Sequence, residues 1–138
     1  MGTENCIFCK ITGKVFPSYV LYEDDYFMVI LDKFPGTQGH TLVVPKVHAE
    51  NIYDLPNEYL EKLMPLVSKV AIALKDELNL EGLNILQNNG RIAGQTVFHF
   101  HMHLIPRYNE DGVMFSWNAT EVDDAQTLGL IDKIKGRL

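Results

Sequence analysis

Three strands, a helix and two further strands, read in that order along 138 residues, predict an α+β fold with a mostly antiparallel five-stranded sheet. Two patterns carry the prediction. Short runs rich in β-branched and aromatic residues recur between turn residues, and one long stretch repeats its apolar residues at helical spacing. A third observation is "VFHFHMHLIPRY" (97–108), where three of the five histidines of the chain occupy alternate positions.

The elements follow in chain order. "SYVLYEDDYFMVILD" (18–32) reads as two short strands, with Glu23-Asp24-Asp25 as the turn between them. "GHTLVVPKVH" (39–48) predicts a third strand ended by Pro45, which cannot donate to a ladder. From 54 to 78, Leu60, Leu63, Met64, Val67, Val70, Ala71, Leu74 and Leu78 fall on one helical face that would cover the sheet. Asp54 is the expected N-cap, and Pro65 predicts a kink. "GLNILQ" (82–87) is the fourth strand and 97–105 the fifth. The tail from about 121, with Leu128, Ile131 and Ile134, predicts a short helix.

Bulk properties place the chain as one domain spanning 1–138, with 46% hydrophobic residues to supply a core. A net charge of −6 repels phosphate backbones, which argues against a nucleic-acid partner. No apolar run is long enough to span a membrane. "MGTENCIFCK" has no secretory pattern, and Cys6 stands where a myristoylation motif on Gly2 needs Ser or Thr. The expected location is therefore the cytoplasm, where a disulfide is not the default.

Successive strand side chains point to opposite faces, so the alternation puts His99, His101 and His103 on one face. Phe98, Phe100, Met102 and Leu104 take the other, the expected core side. A wet strand face that happens to carry imidazoles is the bland alternative. Three in alternation point instead to metal binding, nucleophilic attack or proton transfer. "NNGRIAGQT" (88–96) is either a plain loop or a backbone cradle for an anion. In the second case Gly90 and Gly94 permit close approach, and Gln95 and Thr96 add donors. Cys6 and Cys9 have the Cys-x-x-Cys spacing of zinc sites, which is weak alone. A redox pair would need a preceding strand, and nothing before Cys6 supplies one.

"HFHMHLI" (99–105) fits His-φ-His-φ-His-φ-φ at every position, φ being apolar. With "CIFCKI", "GHTLVVPKVH" and "NNGRIAGQTVFHFHMHLIPR", the chain resembles, from residue 5 to about 108, the histidine-triad superfamily. It is most similar to the branch of histidine-triad nucleotide-binding proteins found in bacteria. The resemblance implies a histidine-triad-like (HIT-like) fold that binds purine nucleotides and cleaves at the α-phosphate. It makes His101 the nucleophile that forms a covalent nucleotidyl intermediate, with AMP-amine phosphoramidates as typical substrates. His40 and His103 would line the phosphate pocket, Gln95 and Thr96 the leaving-group side, and Asn88 and Gly94 the phosphate region. Asp32 would accept from the ribose hydroxyls, and Ile7, Phe8 and Ile30 would form the slot for the base. Cys6, Cys9, His48 and His99 would hold a structural zinc, which requires His99 to leave the face of its two neighbours through a twist or bulge. A homodimer that joins two sheets is also implied.

Rival readings stay open at this point. One is a zinc hydrolase with catalytic metal on the triad, which would bind two metals per chain rather than one. Others are a nucleotide-binding module with vestigial catalysis, and a dinucleoside polyphosphate hydrolase.

Overall fold

A computed structural model describes residues 3–138; Gly2, and with it the myristoylation reading, lies outside them. Five strands form one antiparallel sheet: β1 (Tyr19–Glu23), β2 (Phe27–Leu31), β3 (Thr41–Pro45), β4 (Gly82–Leu86) and β5 (Met102–Arg107), in the spatial order β1-β2-β3-β5-β4. Among the described residues three α-helices accompany the sheet: α1 (Ile7–Thr12) before β1, α2 (Asn57–Leu78) between β3 and β4, and α3 (Asp124–Lys135) after β5. The α+β class and the sheet match the expectation.

The two faces of the sheet are covered differently. Leu63, Leu66, Val67, Val70 and Leu74 of α2 pack on Phe27, Val29, Val43 and Leu104. On the opposite face, Phe8 and Ile11 of α1 pack on Met28, Ile30, Leu42 and Val44. Burial on both sides is why β2 and β3 read as unbroken apolar runs rather than alternating ones. The register pairs Leu42 with His103. His103 therefore lies on the α1 face, away from the long helix.

Several boundaries differ from the sequence reading. The first turn is held by Asp24, whose Oδ1 accepts from the Tyr26 and Phe27 N–H groups at 2.8 Å each. Pro56, not Asp54, occupies the N-cap of α2. Asp54 instead accepts from the Glu50 and Asn51 N–H groups and closes the turn before the helix. The helix continues through Pro65. Pro65 and Glu61, whose carbonyl loses its partner there, are both exposed, so water can satisfy the gap. The α3 helix starts with an Asp123 cap on the Gln126 N–H at 2.9 Å.

The fifth strand is the largest correction. It begins at Met102 rather than Val97 and runs to Arg107. Residues 97–101 are irregular, so strict alternation does not extend back to His99. Here the Phe100 N–H donates to the Ala49 carbonyl at 2.7 Å, and His99 is fully buried. The segment is set by these side contacts instead of a ladder. Helix α1 was not anticipated: six residues carry too little periodicity to announce a helix. Its start is capped by Cys6, whose Sγ accepts from the Cys9 N–H at 3.2 Å.

Candidate active site and metal centre

The irregular stretch before β5 sends neighbouring histidines in different directions. His99 turns toward α1, while His101 and His103 stay beside β3. The bifurcation starts at Pro45, whose carbonyl is 2.9 Å from His99 Nε2. A carbonyl can only accept, so Nε2 carries the proton and Nδ1 presents its lone pair. That lone pair is 3.2 Å from Cys6 Sγ, 3.4 Å from Cys9 Sγ and 3.2 Å from His48 Nδ1. His48 Nδ1 lies 3.2 Å from Cys9 Sγ. All four donor atoms fall within 4.8 Å of one another.

These separations fit a four-coordinate cation. Metal bonds of about 2.0–2.3 Å in a tetrahedron place the ligand atoms about 3.3–3.8 Å apart. The donor set is chemically apt too. Two thiols and two imidazoles suit a borderline-soft ion, and the Pro45 carbonyl supplies the outer partner that orients a ligating histidine. Burial, and then the neighbouring Cys6, push the Cys9 thiol up to about 12. A divalent cation reverses that preference, because it binds the thiolate and expels the proton. The sequence-expected set Cys6, Cys9, His48 and His99 is thus brought together, and it has no open position.

The second group lies on the same sheet face. His101 Nδ1 is 2.8 Å from the His99 carbonyl. Nδ1 therefore donates, and Nε2 is left as a free lone pair. Phe8 packs edge-on against both His99 and His101, with ring centroids 5.9 and 4.9 Å apart. One aromatic ring thus walls both the candidate metal ligand His99 and the free imidazole of His101. His40, placed just before β3, has its Nε2 2.9 Å from His103 Nδ1 and 3.7 Å from Asp32 Oδ2. The His101 and His103 rings are 4.8 Å apart.

Asp32, His40 and His103 also lie within 4.8 Å of one another. Their contacts suit hydrogen bonding better than metal binding. The Gly36 N–H donates to His40 Nδ1 at 2.9 Å, so the proton of neutral His40 sits on Nε2 and blocks its lone pair. Gly36 was missed by sequence reading; the "FPGTQGH" turn was its only signal.

Burial dominates the electrostatics. It lowers the pKa of His40, His101 and His103, against smaller opposing pulls from the His99 carbonyl on His101 and from Asp32 on all three. For His103 the fall reaches about 4, with the neighbouring His101 and His40 adding to it. The unfolded imidazole instead titrates near 6.5. As pH falls through this window, the unfolded chain takes a proton that folded His103 refuses, so stability drops with acidification. Replacing His103 with Asn removes the titration. We expect urea denaturation to show the wild-type loss between about pH 7 and about pH 5 reduced by about 2 kcal/mol in His103→Asn. Equal losses would show that His103 protonates freely in the folded state.

The loop 88–96 divides its labour. Gln95 is almost fully buried. Its Oε1 accepts from the Gly90 N–H at 2.8 Å, and its Nε2 donates to the Glu50 and Val97 carbonyls at 2.7 and 3.1 Å. The side chain is fully engaged in bracing the loop. Gly94 sits at φ +95°, where a side chain would be strained, and a Cβ there would stand 3.4 Å from Asn88 Nδ2. Thr96 is exposed. Phe8 and Ile30 share one buried apolar cluster, and Ile7, beside Phe8 on α1, is 46% exposed. Ile30 therefore lies beneath any slot formed here, while Ile7 flanks its opening.

The fold and its sites define a class: an α+β protein with one imidazole poised as a free base beside a closed Cys2His2 group. The HIT domain model matches residues 13–110, and the chain belongs to the HIT family. A HIT family protein of Bacillus subtilis of solved structure superposes with a TM-score of 0.93 at 43% identity, covering 98% of each chain. The adenosine 5'-monophosphoramidase HNT1 of Saccharomyces cerevisiae is 44% identical over 86% of this chain and 73% of its own length. A Zn-bound histidine triad family protein of Mycobacterium smegmatis superposes with a TM-score of 0.76 at 39% identity, covering 86% of each chain. Among the described residues no helix is long and apolar enough to cross a membrane.

Proposed function

We propose that this chain is a nucleotide hydrolase or transferase that cleaves purine nucleotide derivatives at the α-phosphate, with AMP-amine phosphoramidates as the substrate class. One observation carries the reading. The His101 Nδ1–H donates to the His99 carbonyl, which leaves Nε2 as a directed lone pair next to His103. The yeast phosphoramidase relative supports the substrate class.

The Nε2 lone pair of His101 forms a bond to phosphorus while the P–N bond to the amine breaks. The amine leaves with a proton taken from water, on the side of the pocket where Thr96 is exposed. Water then attacks phosphorus, the P–Nε2 bond breaks, and AMP and a proton are released. His103 stabilises charge on the non-bridging oxygens. Asn88 and Gly94 bound the phosphate region, Asp32 accepts from the ribose hydroxyls, and Ile7, Phe8 and Ile30 hold the base. Gln95 acts through the loop it braces. Acid-quenching a single turnover tests this: a nucleotidyl group recovered on His101 supports it. Turnover with no adduct on any histidine would remove the covalent route.

Cys6, Cys9, His48 and His99 would hold zinc, a structural ion that fastens α1 to the sheet. Elemental analysis should find one zinc per chain; two would favour the rival metal hydrolase.

The homodimer belongs to the same reading. Strand β4 is an edge of the sheet, Ile85 on it is 45% exposed, and Ile72 on the adjoining face of α2 is 58% exposed. A second copy pairing there would cover both. Light scattering should report a dimer for the wild type and a monomer for Ile72→Glu. A wild-type monomer would exclude it.

A further inference from the structure

We propose that His40 is a positioning residue that locks His103 in one tautomer, so that His103 offers the phosphate an N–H and never a lone pair. The inference rests on the reading that phosphate sits at His101 and His103. Its premises are hydrogen bonds whose directions chemistry fixes in sequence.

The first link is the Gly36 backbone, which can only donate. Its N–H is 2.9 Å from His40 Nδ1, so Nδ1 accepts and carries no proton. A neutral imidazole holds its single proton on the other nitrogen, here Nε2. That atom has two acceptors nearby: His103 Nδ1 at 2.9 Å and Asp32 Oδ2 at 3.7 Å. Only the first is within hydrogen-bonding distance. His103 Nδ1 therefore accepts, and the proton of neutral His103 is forced onto its Nε2.

The histidine two residues earlier is set the opposite way. His101 donates from Nδ1 to the His99 carbonyl, so its Nε2 is bare. Two adjacent imidazoles thus receive opposite tautomers from backbone groups at opposite ends of the network. One becomes a lone pair suited to attack phosphorus, the other a neutral donor suited to its oxygens. Burial of His40, 8% exposed, keeps water from offering a competing partner. Exchange of either tautomer would put a lone pair against phosphate oxygen, or a proton against phosphorus.

The test uses the full chain with its metal bound, labelled with ¹⁵N in histidine and free of nucleotide. Long-range ¹⁵N–¹H correlation reads which ring nitrogen carries the proton. At about pH 7 the expected pattern is protonated Nε2 in His40 and His103 and protonated Nδ1 in His101. A His103 protonated on Nδ1 overturns the proposal regardless of activity. Two uncharged variants then separate positioning from packing. His40→Gln retains an acceptor and a donor on one rigid group, whereas His40→Met has neither. In His40→Gln, His103 should keep its tautomer and AMP affinity should change by only a few-fold. In His40→Met, His103 should become a tautomer mixture, and AMP binding should weaken about tenfold while adenosine binding is unchanged. Equal tautomers in both variants would overturn the role of His40. If the tautomers follow the expected pattern but AMP binding ignores them, the relay holds and the placement of phosphate at His103 falls.

Discussion

His101→Ala is expected to lower kcat/KM for an AMP-amine phosphoramidate by at least ~10³-fold, about 4 kcal/mol of transition-state stabilisation. Among His40, His101 and His103, the Nε2 of His101 carries the lone pair that no neighbour engages. His40 and His103 hold protons there, and His99 faces the thiols. No neighbour can substitute for it without reversing a fixed hydrogen bond. Binding should survive, because the proposed phosphate donors and apolar slot are untouched by the substitution. AMP affinity within a few-fold of wild type, with turnover gone, is the expected pair of results. A variant that turns over at the wild-type rate would remove His101 as nucleophile. A wild type that binds AMP yet does not exceed the variant in turnover would favour a binding module.

Why the surroundings of three alternating histidines diverge was only half legible. Spacing alone placed them on one face, since a strand offers nothing else. The divergence depends on Ala49 and Pro45, distant in sequence, whose carbonyls take the Phe100 N–H and the His99 Nε2–H. Periodicity carries no information about such contacts. The apolar runs of β2, β3 and α2 were readable because burial must satisfy a repeat of two or 3.6 residues. Helix α1 was not, because its six residues bury only Phe8 and Ile11. Asp54 was misassigned because a capping residue can equally close the preceding turn, and sequence does not tell which N–H groups are nearest. The "FPGTQGH" turn held the least visible part, a backbone donor that decides a tautomer.

If Cys6, Cys9, His48 and His99 hold the proposed zinc, its loss should unfasten α1 first. Six helical residues are far too short to be stable alone. Ordering Cys6 to Gly13, eight residues, costs about 8–16 kcal/mol of backbone entropy. Burying Phe8 and Ile11 returns about 3–6 kcal/mol. The net cost is about 2–13 kcal/mol, and a structural zinc, worth about 10 kcal/mol or more, offsets it through most of that range. Cys9→Ala, or wild type dialysed against a strong chelator, should therefore lose about 3 kcal/mol of stability or more as the segment detaches. For a chain of this size that lowers Tm by about 10 °C. Turnover below the new Tm should suffer less than stability does. On the proposed reading Phe8 would leave the base slot and raise KM, while the His99 carbonyl still orients His101 so long as the strand end is held by Ala49. The order of events is the test. A fall in Tm and a rise in KM at nearly constant kcat places the ion in the scaffold. Immediate loss of kcat, restored by zinc without refolding, would place it in the chemistry.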